Sequence, residues 1–365
     1  MRRREFLKAA AVTGALAGAV QGEESKETEA KPLTIGTEPV ITGSFFDLTH
    51  VNIFDAAYWT DTCRFWGADN WRALMRDMRG IGIDTAICVS TASWGRPLFP
   101  GYEKTVGLPV KFGCEDPLRV CVDEAETLGM TIFLGVGFRG RVSQVRDYAG
   151  MEPPWPEVWF TWNRALAEAL VEQYGARKNF GGLYMAYEMD FEPYQIDLYE
   201  KFMSEYLRPA LGNVKVLASP GNLGDHPNLA EAPGQLKRAG IDIVAPQDYG
   251  GRTGSIDEAL ALVRKNADAL RQAGPALRAN GIEVWANCEA FNLEPNPSGR
   301  SHCVPGSMER IRQQLALQAP VADKLICYQY QGIMNRKTDL VMIGHPDTQK
   351  LYDAYLAYLE ERNRA

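Results

Sequence analysis

Gly281-Ile282-Glu283-Val284-Trp285-Ala286-Asn287-Cys288-Glu289 is the stretch that decides the fold. A glycine placed after a helical pattern closes the last turn with a positive φ that costs it nothing, and the apolar run behind it reads as a buried strand. The same junction recurs as Gly82-Ile83-Asp84, Gly129-Met130-Thr131 and Gly240-Ile241-Asp242. Outward from these four points, short β-rich runs alternate with longer helical patterns eight times. The strand candidates are Val40–Asp47, Thr85–Ser90, Thr131–Val136, Gly182–Glu188, Val214–Ser219, Ile241–Gln247, Glu283–Glu289 and Lys324–Tyr330. Apolar residues at three- and four-residue spacing predict helices over Asn70–Arg79, Pro117–Leu128, Pro156–Tyr174, Ile256–Arg278 and Met308–Gln318. Regular β-α alternation implies a parallel sheet, and eight units fit a single-domain α/β fold, a closed (β/α)8 TIM barrel over residues 39–365. The runner-up is an open doubly wound sheet, but no G-x-G-x-x-G or P-loop follows the first strand.

The bulk numbers agree with one folded domain. The chain has 365 residues, of which 45% are hydrophobic and 23% charged, so disordered and fibrous classes are excluded. Seven cysteines show no C-x-x-C spacing; most read as buried small apolar groups, with Cys114 able to pair with Cys121 or Cys303. At the amino end Arg2, Arg3, Arg4 and Lys8 precede a small-residue apolar stretch from Ala9 to Val20, and Ala17-Gly18-Ala19 offers a cleavage site. Arg3-Arg4-Glu5-Phe6-Leu7-Lys8 resembles the twin-arginine export signal, which implies the twin-arginine translocase as a partner and a periplasmic or extracellular destination. The apolar stretch falls short of the ~20 residues needed to span a bilayer. Residues 1–22 are therefore read as a signal peptide and 23–38 as a polar linker. Removing the former takes away four positive charges and one negative, moving the net charge from −7 to −10. Such an acidic protein is a poor partner for nucleic acid or anionic lipid.

The long segments His50–Asp69, Thr91–Asp116, Gly137–Trp155 and Ala290–Gly306 all follow strands, so they rise on the face where barrel enzymes keep their sites. Strand four ends in Glu188 and strand seven in Glu289, two carboxylates expected to face one another across the mouth. A pair about 5–5.5 Å apart suits a retaining glycosidase, and a wider gap admits a water and suits inversion. Asp190 and Glu192 are rival acids if strand four ends later. Hydroxyl-binding candidates at the same rim are Asp47, Arg139, Tyr187, Gln247, Asp248, Tyr249, Asn287, Tyr330 and Gln331. Trp94, next to Gly95 and Pro97, is read as a sugar-stacking ring, whereas Trp59 and Trp66 are read as loop anchors. His50, His226, His302 and His345 are widely separated and form no zinc motif, so no metal or cofactor is expected. No G-x-S-x-G elbow is present, and Cys288 is expected to pack outside the barrel. Two other classes stay open: a glycan-binding barrel without turnover, and a divalent-metal sugar isomerase using Glu188, Asp248, Glu289 and one histidine.

The carboxylates at strands four and seven resemble those of the TIM-barrel glycoside hydrolase superfamily. More closely, Ile41-Thr42-Gly43-Ser44-Phe45, the segment from Tyr58-Trp59 to Arg64-Phe65-Trp66, Gly82-Ile83-Asp84-Thr85, Ala245-Pro246-Gln247-Asp248 and Trp285-Ala286-Asn287 resemble the exported barrels grouped as domain of unknown function 4434. The superfamily resemblance implies Glu188 as acid/base, Glu289 as nucleophile and an oligosaccharide or polysaccharide as substrate. The chain departs from the superfamily at Tyr187, where many members have an asparagine for the sugar 2-hydroxyl; either another group, such as Asn287, binds that hydroxyl, or the chemistry differs.

Overall fold

The computed structural model describes residues 38–50, 52–93, 96–101, 110–136, 155–186, 188, 191, 193–295 and 301–364. The strands, in chain order, are β1 (Gly43–Phe46), β2 (Thr85–Cys88), β3 (Ala92–Ser93), β4 (Arg96–Pro97), β5 (Thr131–Val136), β6 (Phe180–Met185), β7 (Val216–Ala218), β8 (Ile243–Val244), β9 (Glu283–Glu289), β10 (Phe291–Pro295), β11 (Ser301–Pro305) and β12 (Lys324–Tyr328). Eight of them, in the order β1-β2-β5-β6-β7-β8-β9-β12, form a closed parallel barrel. Closure is made at Gly43, which sits in register with Thr85 on one side and Ile326 on the other. A methyl group at Gly43 would lie 2.6 Å from the Ile326 side chain, so the seam needs glycine. The remaining strands form two small antiparallel pairs, β3-β4 and β10-β11, both in the segments that follow barrel strands.

Helices cover Ala68–Gly80, Pro117–Thr127, Trp155–Tyr174, Ile256–Ala279, Met308–Gln318 and Thr348–Arg364, and the first five follow the spacing read in the sequence. The four repeated junctions share one geometry: Gly82, Gly129, Gly240 and Gly281 have φ of 90°, 65°, 68° and 76°. In each, the residue after the glycine reaches back to a carbonyl in the last helical turn, as Ile282 N–H does to Leu277 O at 3.0 Å and Met130 N–H to Ala125 O at 2.8 Å. This is the Schellman closure, which satisfies carbonyls the helix leaves open and aims the chain into the next strand.

Side chains sort into two apolar layers. Phe45, Ile87, Phe133, Leu217, Ile243, Trp285 and Ile326 fill the barrel interior. A larger set that includes Trp71, Leu74, Cys88, Cys288 and Leu315 packs between barrel and helices. Trp59 and Trp66 are buried in that outer layer as the loop anchors expected of them. All seven cysteines are free and six are buried, so the pairing of Cys114 with Cys121 or Cys303 is not formed; each buried thiol is packed as a small apolar group. Residues Gly36–Ala365 make one compact unit, while the expected signal segment and the linker through residue 37 lie outside the described residues.

Six barrel strands are shorter than the sequence suggests, the fourth ending at Met185 and not at Glu188. The sixth barrel strand covers Ile243–Val244, not Ile241–Gln247, because Pro246 has no N–H to give the ladder; beyond it only a single bridge joins Gln247 to Asn287. The first starts at Gly43 and the eighth ends at Tyr328, two residues before the expected end. The peptide between Tyr328 and Gln329 is cis.

Gly82 has open space where a side chain would go, so Gly82→Ala isolates the cost of a left-handed backbone. Urea denaturation is expected to show a loss of about 1 kcal/mol with an unchanged slope; no loss would mean the junction does not need its positive φ.

Candidate active site

Strand pleating decides which side chains reach the barrel axis. On β9, Trp285 lies in the inner layer and Asn287 and Glu289 follow at intervals of two, while Val284, Ala286 and Cys288 pack outward. By the same alternation Gln247 follows Ile243 and Ala245, Asp47 follows Phe45, and Tyr328 follows Ile326, while Glu188 lies three residues beyond the end of β6 at Met185. All of these stand at the carboxyl ends of their strands. The strand order corrects one expectation. β6 and β9 are three places apart in the ring, so the strand directly across from Glu188 is β12, which carries Tyr328.

Glu289 has the most fully built surroundings. Its side chain is 3% exposed, with Oε2 accepting from Gly251 N–H at 2.9 Å and Oε1 3.7 Å from Arg252 Nε. Burial raises its pKa to about 7, against the pull of Arg252 and with a push from Asp248. Arg252 also donates to Gln247 Oε1 at 2.9 Å and stacks 3.5 Å over the Tyr249 ring. Tyr249 has φ of 62°, a conformation a bulky residue adopts only where its surroundings impose it. Asn287 donates to Ser219 Oγ at 3.1 Å and leaves its own carbonyl oxygen buried without a partner among the described residues. Asp47 is buried; burial raises its pKa, and His50, Gln329 and Trp59 oppose the rise.

Three expected rim residues stand elsewhere. Asp248 has the outward parity of Val244 and Pro246, and its carboxylate is enclosed: Oδ2 accepts from Gln314 at 2.8 Å and Gln318 at 3.0 Å, Oδ1 from Gly250 N–H at 2.9 Å and Glu289 N–H at 3.2 Å. It braces the loop around Glu289 and offers nothing to a ligand. Because the eighth strand ends early, Tyr330 packs in the outer layer with its hydroxyl accepting from Arg336 N–H at 3.1 Å. Gln331 is likewise turned inward to the protein, accepting from Asp47 N–H at 2.6 Å and donating to Asp47 O at 3.0 Å. Trp94, Arg139 and Tyr187, with the rival acids Asp190 and Glu192, lie outside the described residues.

The structure adds four groups to the mouth: Arg252, Tyr328, His50 and Asp55. Tyr328 packs its ring on Phe45 and Phe291 at centroid distances of 5.6 and 5.8 Å, and its hydroxyl meets His50 Nε2 at 2.6 Å. Asp55 is pushed up by burial; His50 counters the rise and the Glu188 charge adds to it, so Glu188, Asp55 and His50 share one field. Tyr328 was legible from its spacing to Ile326; Arg252, His50 and Asp55 sit on loops whose paths no periodicity encodes.

A cavity of about 940 Å³ opens at the opposite face, among the amino ends of the strands. Its charged lining is already paired, Lys215 with Glu283 at 2.7 Å and Asp323 with Arg278 at 2.9 Å, so it does not compete with the mouth as a reactive site. Among the described residues no three of His, Cys, Asp and Glu come together as metal ligands, and the set read for an isomerase is not assembled because Asp248 points away. None of the described helices is long and apolar enough to cross a membrane.

A closed barrel of eight parallel strands ringed by helices is a TIM barrel. Within that class the chain belongs to the family described as domain of unknown function DUF4434, whose model matches residues 41–338. Among solved structures, it is similar in fold to a putative α-L-fucosidase from Bacteroides thetaiotaomicron, with 20% identity, TM-score 0.64, and 93% of this chain and 99% of that one covered. It is also similar to a GH99 endo-α-mannosidase from Bacteroides thetaiotaomicron (12%, 0.50, 88% and 97%) and to a family 1 β-glucosidase from Thermotoga maritima (11%, 0.52, 90% and 99%). No curated protein matches the chain.

The raised pKa of Glu289 has a thermodynamic consequence. Between its ordinary value of 4.5 and about 7 the folded state holds the proton more tightly than the unfolded one, so stability falls as pH rises through that window and stays lower above it. Glu289→Gln removes the titration. The variant is expected to match the parent below about pH 4.5 and to exceed it above pH 7 by on the order of 3 kcal/mol, measured by denaturant unfolding across pH. A pH-independent difference would contradict the burial argument.

Proposed function

We propose that the protein is an exported glycoside hydrolase that cleaves a saccharide with retention of configuration, without a cofactor, using Glu188 and Glu289. The observation that supports this reading is the buried Glu289 carboxylate, at the inward end of the seventh strand and seated on Gly251 and Arg252, with the partly exposed Glu188 just beyond the fourth strand and its charge felt at Asp55. Glu188 donates its proton to the leaving oxygen as the anomeric C–O bond breaks, and a Glu289 oxygen forms a glycosyl ester at the anomeric carbon. Water then attacks that carbon, Glu188 takes the water's proton, and Glu289 leaves as carboxylate. Gly251 N–H and the Arg252 guanidinium favour the ionised, nucleophilic form of Glu289 against its burial. Gln247 and Asn287 supply polar groups for sugar hydroxyls on the same face. Export by the twin-arginine pathway, to a periplasmic or extracellular location, is supported by the leader sequence alone.

Glu188→Gln and Glu289→Gln are each expected to lower hydrolysis of an aryl glycoside panel by about 10³-fold while glycan binding is kept. Parent protein that binds glycans but cleaves none would favour a binding barrel instead. Since only ionised Glu289 attacks, kcat/KM is expected to rise with pH through about 7. A fall through the same range would give Glu289 the proton-donor role.

A further inference from the structure

The mouth contains a hydroxyl whose direction is set by the hydrogen bonds behind it. Tyr328 Oη lies 2.6 Å from His50 Nε2, so one of the two must donate to the other. The answer lies at the far side of the imidazole. His50 Nδ1 is 3.0 Å from Asn52 N and 2.9 Å from Asn52 O, two contacts that a neutral ring cannot satisfy together. Asn52 O already accepts from Ala56 N–H at 3.2 Å, whereas the Asn52 N–H has only Nδ1 as acceptor among the described residues. Leaving this part-buried N–H without an acceptor is costly, so Nδ1 remains bare and accepts, which leaves the proton on Nε2. His50 therefore donates to the Tyr328 oxygen, and the phenol proton is free to point elsewhere.

Where it points follows from the surroundings. The ring is clamped between Phe45 and Phe291, on the strand next to Glu289 and in register with it. The same strand lies directly across the ring from the one that leads to Glu188. Burial and the carboxylates of Asp47, Asp55 and Glu188 push the phenol up, so it keeps its proton and presents it toward negative or lone-pair-bearing oxygen.

We propose that the Tyr328 hydroxyl is the hydrogen-bond donor that positions a ring hydroxyl of the bound sugar between Glu188 and Glu289, and that His50 aims it. The inference rests on the glycosidase reading for the identity of the ligand, and on the hydrogen-bond network alone for the direction of the proton. Tyr328 touches substrate; His50 acts through it as a positioning residue.

Nitrogen-15 imidazole shifts of the histidine-labelled full chain, assigned with His50→Gln, read the proton's position without any substrate. A bare Nδ1 and protonated Nε2 are expected at neutral pH. A proton on Nδ1, or on both nitrogens, overturns the proposal whether or not the protein cleaves a glycoside. On the aryl glycoside panel, Tyr328→Phe is expected to lower kcat/KM by about 10–100-fold. His50→Leu should lose a similar factor, His50→Gln, whose amide N–H can replace Nε2–H, should stay within about threefold of the parent, and the His50→Leu/Tyr328→Phe pair should be no worse than Tyr328→Phe alone. Full activity in Tyr328→Phe, or additive losses in the pair, would contradict the roles assigned. Absence of turnover by the parent would count against the glycosidase reading only, since the nitrogen shifts would still decide the proton's direction.

Discussion

The buried carboxylate of Asp248 is the constraint on which the mouth depends. It is cut off from solvent, and burial raises its pKa even with four donors pulling the other way. Two of those donors, Gln314 and Gln318, come from the helix outside the barrel; the other two are the peptide N–H groups of Gly250 and Glu289. One side chain thus ties a helix, a strand end and a loop to a common point. Arg310 repeats the tie from the same helix by donating to Glu289 O at 3.0 Å and Phe291 O at 2.8 Å. The loop from Asp248 to Arg252 can then take only a path that lays Gly251 N–H and the Arg252 guanidinium against the Glu289 carboxylate, and the left-handed Tyr249 backbone is held there by the same bonds.

Around this fixed side, the barrel's alternation brings the rest together. Inward positions at the strand ends carry polar groups where inward positions lower down carry Phe45, Ile243, Trp285 and Ile326. The apolar plug excludes water from below and lowers the local dielectric, which strengthens each charge interaction at the rim. Acids exceed fixed cations there among the described residues: Asp55, Glu188 and Glu289 share the mouth with Arg252, and Asp47 lies beside it. A donor hydroxyl such as that of Tyr328 therefore has oxygen acceptors on more than one side.

Much of this was legible in the residues. Three of the four glycine junctions gave the strand starts, at Thr85, Thr131 and Glu283, because a left-handed C′ residue has few chemical solutions, and the run from Glu283 to Glu289 matched its strand to the residue. What misled was register. Moving the end of the eighth strand by two residues put Tyr330 and Gln331 at the rim in place of Tyr328. Asp248 differs from Gln247 by one position and therefore by one face, and the pleat alone cannot show that Pro246 stops the ladder just before them. Arg252, His50 and Asp55 reach the mouth through loop conformations fixed by tertiary hydrogen bonds such as Asp248 to Gly250 and Cys303 N–H to Asp55 O, which leave no periodic trace. The opposition of strands four and seven was a matter of counting around the ring, and the closed order places Tyr328, not Glu289, across from Glu188.

The central claim is that Glu289 forms a covalent bond to the sugar. A fluorosugar with an activated aryl leaving group, chosen from whichever glycoside the parent cleaves, slows the second step more than the first and lets the ester accumulate. Mass spectrometry of the labelled protein and its peptides should find one glycosyl unit per chain, attached at Glu289. A label on any other residue, or hydrolysis that proceeds with inversion and leaves the protein unlabelled, would contradict the account.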